Sequence, residues 1–223
     1  NGPVDWQRDG AGNPVSETVL ATIGDVGAVW GEAWDRDRGV IYVSAFVKRH
    51  TALGPTGNPT TIYRIDTNGT PDPADDTVGA WFTVDGGAVD PHSGATDGWH
   101  KDFDAFDDVL TEGLGDIELS PDGSTLYAVD LGNRTLVAIP VDESGDPGTA
   151  ERMFIPSNMG VRDGFDADGD CAHTDLRPAG LGVAADGRVH VGVVCSAEST
   201  VDPATDYGID PRQGRVDGWN DSN

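Results

Sequence analysis

The sequence predicts an all-β fold, on two observations. Helical periodicity is nearly absent, since no dozen-residue segment keeps apolar residues at i, i+3, i+4 and i+7 without an intervening Gly or Pro. Short runs of β-branched and aromatic residues recur instead, each closed by Gly, Asp, Asn or Pro. The clearest are residues 40–46, 61–65, 80–84, 125–129, 135–139 and 188–194.

These runs repeat a pattern. A Gly-rich lead enters a strand, an Asp/Gly turn follows, and a second strand carries Tyr or His. The first copy has its lead at 27–34, its turn at 35–39 and its second strand at Ile41, Tyr42 and Val43. In the second copy the lead is 113–119, the turn Ser120, Pro121, Asp122 and Gly123, and the strand Leu126 to Val129. The third has the lead 178–183, the turn Ala185, Asp186 and Gly187, and the strand Val189, His190 and Val191, where His190 is expected to pack between units. Antiparallel strands joined by such turns form a meander, and a repeated four-stranded meander signals a β-propeller blade. The expected architecture is therefore a partial ring of about three to four recognisable blades with long loop inserts. The first blade is placed at 27–84, an insert at 85–112 and the second blade at 113–156. An acidic insert at 157–176, the start of a third blade at 177–200 and a loop at 201–223 follow, with the rest of the ring expected beyond Asn223.

Charge narrows the function classes. Lys and Arg number 14 against 39 Asp and Glu, for a net charge of −25. Such a surface does not suit a phosphate backbone, so no nucleic-acid partner is expected. No apolar run approaches the roughly 20 residues of a membrane helix, so no membrane span is expected. The acids are 32 Asp and 7 Glu. Asp favours turns and hard-cation sites, where Glu would be the better residue for helix solubility. Cys171 and Cys195 are too few for a common zinc site; they are expected to form one disulfide of an extracytoplasmic chain, with free buried thiols as the alternative.

The stretch 115–136, together with Trp30 to Asp35 and the later Ala45, Phe46, Val47, Lys48, Arg49 and His50, resembles the propeller region of large secreted bacterial surface proteins. Those proteins often carry serine-aspartate-repeat B-like or collagen-adhesin B-type modules. The resemblance covers roughly 27–195. It implies a secreted or surface-exposed scaffold and no catalytic mechanism.

The strongest metal candidate is the acidic loop of Asp163, Asp166, Asp168 and Asp170. Alternating carboxylates at 166, 168 and 170 match the first ligands of an EF-hand loop, but Cys171 and Arg177 break the later positions. Asp163 or Asp175 would complete a smaller site, and calcium in a structural role is the expected cofactor. A Cys171–Cys195 bridge would tie this loop to the strand ending at Val194. Lys48, Arg49 and His50 form the one dense basic cluster, read either as local ion pairing or as an anion clamp at a strand end. Glu32 and Asp116 lie near inner strands, where they would line a channel. His92 and His100 beside Asp90, Asp97 and Asp102 suggest a weaker transition-metal possibility. Trp99, Phe103 and Phe106 suggest an aromatic plug or packed lid.

No serine-nucleophile elbow or phosphate loop occurs, and no catalytic residue is assigned. The expectation is a secreted or cell-surface, calcium-stabilised module for adhesion, display or assembly. Its partners would be an extracellular or cell-surface ligand or neighbouring subunits. The alternative is a metal-dependent, lactonase- or esterase-like propeller hydrolase acting on a sugar lactone or ester. The lactonase-like family resembles the second copy through its turn and Asp130. Gly115 and Ala179, however, stand where that family needs an Asn metal ligand.

Overall fold

The computed structural model describes residues 18–70, 72–92, 102–155, 173–196, 209–210 and 215–216. Two four-stranded antiparallel meanders dominate it. The first is β1 (Val29–Asp35), β2 (Val40–Ala45), β3 (Thr61–Asp66) and β4 (Thr77–Thr83). The second is β5 (Leu114–Leu119), β6 (Thr125–Asp130), β7 (Thr135–Pro140) and β8 (Glu151–Phe154). A hairpin of β9 (Leu176–Val183) and β10 (Val189–Cys195) follows, then a two-residue ribbon of β11 (Ile209–Asp210) and β12 (Arg215–Val216) within the stretch expected to be loop. Short helices α1 (Ile23–Val26) and α2 (Phe103–Asp108) lie outside the sheets.

The turns use the chemistry the sequence advertises. Gly39, Gly123 and Gly187 close the turns after β1, β5 and β9 with φ of 69°, 69° and 81°, a region that Gly enters without steric cost. Asp122 accepts hydrogen bonds from both Ser120 and Ser124. The Ser120 hydroxyl first, then Ser124, hold its pKa down at about 2. β8 carried no signal because all four of its residues are exposed; its pairing with β7 makes it a strand.

The first strands of successive units lie side by side, β1 against β5 and β5 against β9. Each has an irregular register near the same point. Pairing skips between Val29 and Glu32 on β1, between Leu114 and Ile117 on β5, and past Ala179 on β9. Such bulges locally bend and twist a strand. Glycine makes the contact possible: a Cβ at Gly31 would lie 2.5 Å from the Ile117 nitrogen, and one at Gly115 would lie 2.9 Å from the Ala179 carbonyl. The Ser44 hydroxyl accepts from the Gly31 amide at 3.0 Å and donates to the Gly115 carbonyl at 2.8 Å, which fastens β1, β2 and β5 together.

Between the two meanders, Ala33, Val40, Tyr42 and Ile62 meet Ile117, Leu126, Val137 and Ile139. Polar bonds cross the same seam. The Arg38 guanidinium pairs with buried Asp35 at 2.5 Å and donates to the Gly123 and Asp142 carbonyls, while Trp81 donates to the Gly145 carbonyl at 2.8 Å. The second meander meets the hairpin through Val129, Leu131, Leu136 and Leu176, with Leu181, Val189 and Val191 packed against them. His190 does not take the packing role read for it. It is exposed on β10, where β9 is its strand's one sheet partner among the described residues.

Substituting Gly31 by Val should cost about 3 kcal/mol in urea unfolding, because backbone cannot move aside as a flexible side chain can. Gly182→Ala, whose Cβ would meet nothing within 4 Å among the described residues, should change stability by less than about 1 kcal/mol. Equal effects of the two would show that β1 and β5 do not meet as described.

Candidate functional site

The polar residues concentrate where β2 ends and the connection from β4 to β5 crosses it. After Phe46, which bridges to Gly113, the chain carries Lys48, Arg49 and His50 into a tight turn with His50 at φ 61°. The β4–β5 connection returns to the same place at Asp102, whose own φ is 46°. Asp102 precedes α2 without capping it through its side chain. Its carboxylate instead accepts the His50 amide at 2.7 Å and is 1% exposed.

His92 completes this fastening. Its Nδ1 lies 2.5 Å from the Asp90 carboxylate, and its Nε2 lies 3.2 Å from the Lys48 carbonyl and 3.6 Å from Asp102. Both ring nitrogens face acceptors, a setting that selects the doubly protonated imidazolium. Burial by itself would lower the pKa, but the Asp90 hydrogen bond, the Lys48 carbonyl and the two carboxylate charges raise it overall. With both nitrogens turned to acceptors within the chain, the ring is committed to fastening these segments.

The Arg49 guanidinium lies over two rings of the same connection, 5.6 Å from the Phe103 centroid and 5.4 Å from that of Phe106. Such cation–π contacts are worth roughly 0.5–1 kcal/mol each near the surface. The basic cluster and the aromatic segment, read separately from sequence, thus meet as two halves of one contact. Lys48 contributes its carbonyl there.

A second polar group lies at the β6–β7 turn. Asp130, 1% exposed, accepts from the Asn133 amide at 3.0 Å and its side-chain nitrogen at 2.9 Å, and it pairs with Arg152. Arg152 also donates to the Val84 carbonyl at 3.0 Å, so one guanidinium joins the end of the first meander to the second. Nearby, burial and then the Asp108 and Asp130 charges raise the Glu112 pKa. Sequence reading missed Arg152 and Asp35–Arg38, because these pairs join residues that are distant in the chain or hidden within a turn.

The remaining candidates are dispersed. Glu32 is exposed on β1. Asp116 turns one carboxylate oxygen to the Ile117 amide at 3.0 Å and the other to the Leu181 amide at 3.1 Å, which joins β5 to β9. Asp175 is 2% exposed, and its carbonyl accepts the Ser196 amide at 2.9 Å beside Cys195. Asp163, Asp166, Asp168, Asp170 and Cys171 lie outside the described residues, as do Asp97, Trp99 and His100. The expected calcium loop and the partner half of the expected disulfide fall there. Among the described residues no group of three or more His, Cys, Asp or Glu side chains is placed to hold a metal.

No family model matches the chain. It is similar to Colossin-A of Dictyostelium discoideum, with 27% identity over 139 residues, covering 62% of this chain and 1% of that protein. It is also similar to Colossin-D of the same organism, with 25% identity over 184 residues, covering 81% of this chain and 18% of that protein. The chain therefore spans a small part of each relative. Neither similarity points to bacterial serine-aspartate-repeat or collagen-adhesin modules.

The raised His92 pKa has a defined consequence for stability. A group whose folded pKa exceeds its unfolded value stabilises fully below the unfolded value, about 6.5, and loses that contribution as pH climbs through the folded value. Compared with His92→Gln, the wild type should be more stable by about 1–2 kcal/mol near pH 5.5. That margin should shrink at alkaline pH when both are melted across a pH series. A margin that grows with pH would contradict the imidazolium.

Proposed function

We propose that this chain is a sector of a β-propeller displayed outside the cell, stabilised by calcium, that serves adhesion, display or assembly and not catalysis. The observation that carries this reading is the succession β1, β5, β9, three first strands packed in order with matched irregularities and close glycine contacts. Among the described residues the same step is open once more on β9. A Cβ at Gly182 would meet nothing within 4 Å, and the nearest atom to one at Gly180 is its own hairpin partner Gly192, at 4.0 Å. A further unit stacked there would extend the ring.

The similarity to short stretches of two much longer proteins supports a module within a larger chain. The calcium reading rests on the spacing of Asp163, Asp166, Asp168 and Asp170. The burial of Asp175 adds to it, because that residue follows the acidic segment in the chain and its backbone carbonyl accepts the Ser196 amide next to Cys195. A Cys171–Cys195 disulfide would limit the entropy lost when the segment closes on an ion. Asp102, His92, Asp116, Asp130 and Arg152 are each engaged in fastening segments, which favours a scaffold over a hydrolase.

Melting with calcium and with excess EGTA tests this. Calcium should raise the Tm by several degrees, and Asp166→Asn with Asp168→Asn should abolish the difference. Identical melting under both conditions would remove calcium from the reading. Turnover of a lactone and ester panel that chelation abolishes would replace the scaffold with a hydrolase.

A further inference from the structure

A groove of about 360 Å³ lies where the β1–β2 turn meets the end of β5, lined by Trp34, Arg36, Asp37, Glu118, Leu119 and Pro121. Its volume falls in the range of small-ligand sites, roughly 300–1,000 Å³. Both meanders build it, so it stands whether or not the ring reading holds. Three features of its lining converge on one ligand chemistry.

Trp34 is 49% exposed, whereas a tryptophan at a strand end ordinarily goes to bury its ring. Leu119, at the corresponding end of β5, packs against the core between the meanders. Trp34 therefore leaves about half of its surface exposed at the groove. Glu118 and Asp37 bring two carboxylates from two different segments. Neither side chain makes a hydrogen bond or ion pair among the described residues. Burial first, then the Asp116 charge, raises the Glu118 pKa; an arriving positive charge would relieve that repulsion. The third acid at the groove, Asp35, is already neutralised by Arg38 at 2.5 Å.

We infer that this groove binds an alkylammonium group, presented as the lysine side chain of a partner protein, between the Trp34 ring and the Glu118 and Asp37 carboxylates. A ring face and carboxylates together stabilise an ammonium by cation–π attraction and charge-assisted hydrogen bonds. The net charge of −25 steers cations toward the chain and anions away. Calcium fits less well, because it takes six to eight oxygens and the groove offers two uncommitted carboxylates. Arg36 at the groove discriminates a sugar from an ammonium. It would donate hydrogen bonds to a sugar and repel an ammonium.

Titration of the full chain with acetyl-Gly-Lys-Gly-amide, n-butylammonium, methyl glucoside and calcium, followed by NMR of the backbone amides of the groove residues and, where Trp34 is present, of its indole N–H, tests the assignment. The lysine peptide should bind at about millimolar strength, and butylammonium more weakly. Trp34→Ala and Glu118→Gln should each weaken it about fivefold while the melting temperature holds. Arg36→Gln should strengthen it. Affinity should rise as pH climbs through the elevated Glu118 range, because the ionised carboxylate is the binding form. The inference fails if Trp34→Ala and Glu118→Gln leave binding unchanged, if Arg36→Gln weakens it, or if methyl glucoside or calcium perturbs Trp34 as strongly as the peptide does.

Discussion

The close backbone approach of one first strand to the next is the constraint on which the remaining structure depends. β5 runs so near β1 that no side chain fits at Gly31, and β9 approaches Gly115 in the same manner. That spacing fixes the seam between the meanders, which determines which residues become core. Tyr42 and Ile62 are fully buried because the second meander covers them. On the hairpin, where no described strand covers the outer face, Val194 stays 67% exposed.

Polar bonds then lock what the glycines permit. Arg38 serves the turn it belongs to, through Asp35, and the neighbouring meander through the Gly123 and Asp142 carbonyls. Arg152 does the same at the opposite seam edge, between Asp130 and the Val84 carbonyl. A carboxylate as buried as Asp35 or Asp130 would carry a large desolvation penalty if left alone, so each guanidinium is needed for the fold to tolerate its acid. Directional bonds of this kind fix the stagger of the sheets, which apolar contact alone would leave free to slide.

The end of the molecule holding His92, Asp102 and Arg49 follows a related logic. The long connection between β4 and β5 has little apolar surface to bury, and α2 is too short to hold itself together. Charge and aromatic contact hold it in place: Asp102 on the His50 amide, Arg49 over Phe103 and Phe106, and His92 between two carboxylates and a carbonyl. Of the residues that look like a ligand clamp in the sequence, Arg49 is engaged through its guanidinium, and Lys48 and His50 through a backbone carbonyl and a backbone amide. The groove at Trp34 and Glu118 is the contrary case, where among the described residues the exposed part of an aromatic ring and two acids have no such occupation.

The sequence by itself determined the all-β class, the strands read at 40–46, 61–65, 125–129 and 135–139, and the turns, since alternation and Asp/Gly chemistry are local properties. It also singled out Lys48 to His50 and the Phe103–Phe106 segment, although only as separate features. What the tertiary structure decided is non-local. It made β8 a strand by pairing it with β7, exposed His190 where its equivalents Tyr42 and Tyr127 are covered to greater degrees, and gave Asp116 the task of joining β5 to β9. It also brought Asp102 to His50 and Arg38 to a neighbouring sheet. A residue type announces what it can bond; chain topology alone decides which groups arrive within bonding distance, and water excluded at the seams decides which bonds must be made.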